Sequence, residues 1–86
     1  MPFPGGDLVM RVKIRLFSNL KQYGPGQEGA FPLDLEVGAT VHGLVEALEI
    51  PPLVKQVILV NGYHCQKDTV LADGDTVTVF PPMAGG

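Results

Sequence analysis

One stretch of the sequence repeats with helical spacing, and strand-type patterns lie on both sides of it. Val41, Leu44, Val45 and Leu48 stand at i, i+3, i+4 and i+7, directly after Thr40, a residue type that caps helix starts. Gly43 inside this stretch costs about 1 kcal/mol relative to alanine, and Pro51-Pro52 ends it. A lone amphipathic helix must lay its stripe on something. With strands before and after it, the solution for so short a chain is α+β: one helix packed on one face of a mixed sheet.

The strand patterns are specific. Arg11-Val12-Lys13-Ile14-Arg15-Leu16-Phe17 alternates with period two. Val12, Ile14 and Leu16 share one face; Arg11, Lys13, Arg15 and Phe17 share the other. Residues 18–30 carry Gly24, Pro25, Gly26 and Gly29 and read as a loop. Phe31 to Val37 alternates again, with Pro32 restricted to a strand start or an edge. These two strands form an antiparallel hairpin. After the helix, Val57-Ile58-Leu59-Val60 is a continuous apolar run, the pattern of a buried central strand. Asn61-Gly62 is the preferred dipeptide of a two-residue turn and leads to a short strand near Tyr63-His64-Cys65. Asp73-Gly74-Asp75 makes a second turn. Thr76 to Phe80 is the last strand, with Val77 and Val79 inward and Thr76, Thr78 and Phe80 outward. This order lets the first and last strands pair in parallel at the sheet centre. The organisation is therefore a Pro/Gly-rich extension over 1–9, a folded domain over 10–80 and a tail over 81–86.

Composition narrows the function classes. At 86 residues the chain makes one core, which removes only about 60–65% of the unfolded surface from water. Hydrophobic residues make up 45%, which suits a folded globule. A net charge of −3 gives no reason to expect nucleic acid as a partner, which calls for a strongly basic domain. No apolar run is long enough to span a membrane, and the first residues lack the pattern of a signal peptide. One cysteine excludes an internal disulfide and a cysteine-based zinc site. A reducing, cytoplasmic setting fits. Two histidines and one cysteine at these spacings make no metal site.

The sequence closes on Phe80-Pro81-Pro82-Met83-Ala84-Gly85-Gly86. Two glycines put an α-carboxylate on a tether free of side chains, which a narrow channel can admit. Pro81 and Pro82 favour an extended course, so the tail projects from the domain. Six residues reach roughly 20 Å at about 3.1–3.6 Å each. Gly86 is the candidate reacting group, and Gly85, Ala84, Met83, Pro82 and Pro81 are the threading segment. Phe80 and Phe17, with the basic stripe of Arg11, Lys13 and Arg15, are candidates for docking an acidic partner; a solvated charged face is the other reading of that stripe. His64 and Cys65 are neighbours on a strand and point to opposite faces, so they do not pair as base and nucleophile. His42 reads as a solvated helix residue, and Asp73 and Asp75 as turn formers.

Val60-Asn61, Asp68, the turn Leu71-Ala72-Asp73-Gly74-Asp75-Thr76-Val77 and the ending Phe80 to Gly86 together resemble the MoaD/ThiS family of sulfur carriers, which have the β-grasp, or ubiquitin-like, fold. The Phe-Pro-Pro-x-x-Gly-Gly ending resembles the small subunit of molybdopterin synthase, whereas Gly38-Ala39-Thr40-Val41-His42 resembles the ThiS branch. The resemblance implies that a ubiquitin-activating-like adenylyltransferase uses ATP to join the Gly86 carboxylate to AMP. A persulfide donor then supplies sulfur and leaves a thiocarboxylate. It implies no stably bound cofactor. The implied sulfur acceptors are a pterin precursor in the large molybdopterin synthase subunit, for molybdenum or tungsten cofactor, or else a thiazole precursor on thiazole synthase, for thiamine, or another sulfur-requiring product. In these roles the chain donates sulfur as a subunit and needs no general base of its own. Two other readings are a ubiquitin-like modifier joined to lysine and an interaction module with an inert tail.

Overall fold

The computed structural model describes residues 9–82. Strand β1 spans Val9–Leu16, β2 Ala30–Glu36, β3 Val57–Val60, β4 Tyr63–His64 and β5 Thr76–Phe80; helix α1 spans Val41–Ala47. The strands form one sheet in the order β2-β1-β5-β3-β4. β1 pairs antiparallel with β2, as their single connecting segment suggests, and parallel with β5, as the order of elements permits. This is the expected β-grasp arrangement.

Period-two patterning decides the layers. Met10, Val12, Ile14 and Leu16 of β1 are buried, and so are Val77 and Val79 of β5. They meet Val41, Leu44 and Leu48 from the helical stripe, together with Phe31, Ile50 and Leu71. Each such side chain contributes about 1.5–3 kcal/mol on full burial, which outweighs the weak intrinsic stability of a seven-residue helix. The Thr40 hydroxyl caps that helix by accepting from the Gly43 N–H at 3.2 Å.

Two devices set the register. Asn61 and Gly62 both have positive φ, 53° and 86°, the type I′ turn that matches strand twist. Lys13 turns its N–H to Asp75 O at 2.8 Å, so its partner Pro32 directs its missing N–H toward the free edge of the sheet.

The structure corrects two expectations. Residues 18–27 are not an open loop. They form 3-10 turns over Ser18–Tyr23 and Pro25–Gln27, and Leu20 is buried in the core. Gly24 is required there for space: a Cβ would lie 2.5 Å from Glu28 O and 2.8 Å from Phe31 Cε1. The second correction concerns Val57–Val60, which is internal to the sheet but only half-buried. Ile58 and Val60 pack on the core. Val57 and Leu59 point to the other face, where no second layer of the described chain covers them. β5, not β3, is the central strand.

Candidate functional site

β5 carries the chain out of the fold. Phe80 ends the strand, Pro81 is half-buried and Pro82 is exposed. Met83, Ala84, Gly85 and Gly86 lie outside the described residues. The site that can be built is therefore the end of the sheet from which the tail departs.

That end presents a row of apolar side chains. The β1–β5 ladder runs from Lys13↔Thr76 to Leu16↔Val79. It continues one step as the Phe17 N–H donates to Val79 O at 3.1 Å, which sets Phe17 beside Phe80. On the other side Phe80 pairs with Val57. Phe17, Phe80 and Val57 thus cross three strands on the open face. Behind them Arg15, Thr78, Leu59 and His64 form the next row. Phe80 is half-buried and Phe17 is 39% exposed. Both phenylalanines face outward as the alternation predicts. Val57 and Leu59 enlarge the patch and were not legible in the sequence, because a continuous apolar run does not say which face is covered.

The basic stripe divides in two. Arg11 is held by Asp34, Nε to Oδ1 at 2.8 Å and Nη2 to Oδ2 at 3.4 Å. The hydrogen bond and charge of Asp34 raise the guanidinium pKa, and Arg11 lowers that of Asp34. A depressed carboxylate pKa favours the folded state above the ordinary carboxylate range and loses that effect as pH falls through it; both side chains are largely open to solvent, which keeps the contribution small. Arg15 instead lies over the Phe17 ring, 5.3 Å from its centroid, a cation–π contact. It brings positive charge to the apolar row, with exposed Lys13 two residues behind.

The turn before β5 is structural. Asp73 Oδ1 accepts from the Arg11 N–H at 2.8 Å, and the Gly74 N–H donates to Arg11 O at 2.8 Å. Asp75 Oδ2 accepts from Ala72 N–H and its Oδ1 from Asn61 Nδ2. Gly74, at φ 89°, takes the left-handed conformation that glycine adopts without strain. The Leu-x-Asp-Gly-Asp-x-Val motif therefore fixes where β1 and β5 meet, and so where the tail begins, with Leu71 and Val77 buried on either side.

The remaining candidates take structural roles. His42 pairs with Glu46 at 3.3 Å on the exposed helix flank. Cys65 donates its thiol to Ile58 O at 3.5 Å, and burial pushes its pKa up, which suppresses the reactive thiolate. His64 sits on the open face, away from it. Among the described residues no three His, Cys, Asp or Glu side chains could hold a metal ion, and no helix is long and apolar enough to cross a membrane.

The ThiS family model matches residues 14–86. The chain belongs to the ThiS family. This ThiS-family protein is thus one of the ubiquitin-like sulfur carriers. No curated protein sequence matches it. Among solved structures it is similar to the HVO 2177 protein of Haloferax volcanii, with 26% identity, a TM-score of 0.75, and 91% of this chain and 88% of that chain covered. It is similar to subunit 1 in the complex of subunits 1 and 2 of the molybdopterin-converting factor of Helicobacter pylori, with 26% identity, a TM-score of 0.58 and coverage of 90% and 100%. A ubiquitin of Caldiarchaeum subterraneum shares the fold at 20% identity, a TM-score of 0.57 and coverage of 91% and 99%.

Proposed function

We propose that this ThiS-family protein carries sulfur on Gly86 for molybdopterin synthesis. The observation that carries this reading is the apolar row Phe17-Phe80-Val57, which lies where β5 hands the chain to the Pro81–Gly86 tail. A protein that encloses the tail must meet the domain at that row. The likeness to one half of a two-subunit molybdopterin-converting factor supports a large-subunit partner.

The chemistry needs an activated carboxylate, because carboxylate oxygen is a poor leaving group. Attack by the Gly86 carboxylate on the α-phosphorus of ATP expels pyrophosphate and forms an acyl adenylate. The terminal sulfur of a persulfide then attacks the carbonyl and expels AMP. A second thiol cleaves the acyl disulfide and leaves the thiocarboxylate. The domain contributes position: the proline pair and the docked face deliver one carbonyl to each partner's reactive group.

The full chain, incubated with its adenylating enzyme, ATP and a persulfide donor, is expected to gain the mass difference of one sulfur for one oxygen. It should lose that sulfur when the large synthase subunit and a pterin precursor are added. An unchanged mass, or adducts on lysine, would overturn the carrier reading. Loss of sulfur to thiazole synthase alone would replace the pathway, and the ThiS-like helix start keeps that reading as the second one.

Phe80→Ala tests the docking row. Truncating a buried aromatic anchor removes about 2 kcal/mol or more, roughly 30-fold in affinity. Phe80 faces away from the core, so titration against the adenylating enzyme should show weakened binding with a nearly unchanged melting temperature. A large fall in melting temperature with unchanged affinity would assign Phe80 to the core instead.

A further inference from the structure

The turn between β3 and β4 carries a reactive pair outside the tail and its docking row. Asn61 and Gly62 are both exposed. A glycine after asparagine leaves the next backbone nitrogen with no side chain to shield it, and that nitrogen can attack the asparagine amide. The chain has two asparagines, and the other is protected. Asn19 precedes Leu20, which is buried and whose N–H donates to Phe17 O at 3.1 Å. Asn61 is thus the chain's candidate for deamidation.

The fold ties that side chain elsewhere. Asn61 Nδ2 donates to Asp75 Oδ1 at 2.9 Å, and Asn61 Oδ1 accepts from the Thr76 N–H at 2.9 Å. The Asn61 N–H also donates to Thr76 O at 2.7 Å. Asp75 is held in turn, since its Oδ2 accepts from the Ala72 N–H at 2.8 Å. Both ends of the Asn61 amide are therefore engaged by the start of β5. The side chain must leave those partners before its Cγ can meet the Gly62 nitrogen.

We propose that Asn61 is a modification site that the fold keeps closed: it deamidates when its bonds to Asp75 and Thr76 open, and the product hinders their closing again. The Gly62 nitrogen attacks Asn61 Cγ and gives up its proton to solvent, and the side-chain nitrogen leaves as ammonia. Water then opens the five-membered imide at either carbonyl, giving aspartate or isoaspartate. One water is consumed and one ammonia released, with no change of oxidation state. The product has no side-chain N–H to offer Asp75. It sets a second carboxylate at hydrogen-bond distance from the first, and like charges so placed repel. Isoaspartate also lengthens the backbone inside a two-residue turn. Asn61 directly follows the Val60↔Val77 pair of the β3–β5 ladder, so the damage falls where β3 grips the start of β5. A chain that has once opened there carries a mark that keeps this seam weak.

The test follows the full chain by peptide mapping, in buffer and in guanidinium chloride, at one pH and temperature. Deamidation at Asn61 should be about tenfold or more slower in the folded chain, the effect of two hydrogen bonds that must open first. Asn19 should stay intact in the folded chain. Asp75→Ala removes one of the two bonds and should speed the reaction about threefold or more in protein that still melts cooperatively. Equal rates in buffer and denaturant, or no acceleration in folded Asp75→Ala, would overturn the proposal. A second pair of variants decides it even where Asp75→Ala fails to fold. Asn61→Asp copies the product and should lower the melting temperature by roughly 5 °C or more. Adding Asp75→Asn to it should restore most of that loss, because an amide again faces a carboxylate. An unchanged melting temperature in Asn61→Asp, or no recovery in the double variant, would equally overturn the proposal.

Discussion

Deleting Gly86 is expected to abolish thiocarboxylate formation while leaving the domain folded. Every proposed step passes through the terminal carbonyl, and removing one residue withdraws it by roughly 3.5 Å. A displacement of even about 1 Å can reduce a rate about 100-fold. The buried core residues run from Met10 to Val79 and stop short of the tail, so the melting temperature should match wild type. The informative measurement is intact mass after incubation with the adenylating enzyme, ATP and the persulfide donor. Sulfur loading at the wild-type level in the shortened chain would refute the assignment of Gly86 as the reacting group.

Leu20→Ala should produce the largest loss of stability among substitutions away from the strands and α1. Leu20 is 1% exposed, and its 3-10 turn lies against both β1 and β5. Truncating a buried leucine costs about 2–5 kcal/mol, against a total of about 5–15 kcal/mol for a domain. In a domain of this size that lowers the melting temperature by roughly 10 °C or more. Denaturant unfolding should show the midpoint falling with an unchanged slope. A shift of only a degree or two would mean that the Ser18–Tyr23 turn is no part of the core.

The two central expectations of the fold were readable because they depend on spacing alone. The alternation from Arg11 to Phe17 fixed both faces of β1, and the repeat Val41-Leu44-Val45-Leu48 fixed the helix. Leu20 was hidden for a physical reason. A short 3-10 turn buries one side chain and leaves no periodic trace, and Gly24, Pro25 and Gly26 next to it carry the composition of a loop. The open face of β3 was hidden differently. Val57 and Leu59 are apolar like their core-facing neighbours, and only the sheet order reveals that nothing in the described chain covers them. The motif Asp73-Gly74-Asp75 was legible as a turn. Its reach was not, since Asp73 bonds a backbone amide 62 residues away.

The tail's point of attachment has a mechanical consequence. β5 lies in the middle of the sheet, clasped by parallel β1 on one side and antiparallel β3 on the other. A pull on Gly86 runs along the strand and loads both hydrogen-bonded ladders in shear, all together. Were the tail joined to an edge strand, the same pull could peel one ladder open bond by bond. On the sulfur-carrier function proposed above, an enzyme that seizes the tail would pull on a strand held by two ladders at once, which resists unravelling.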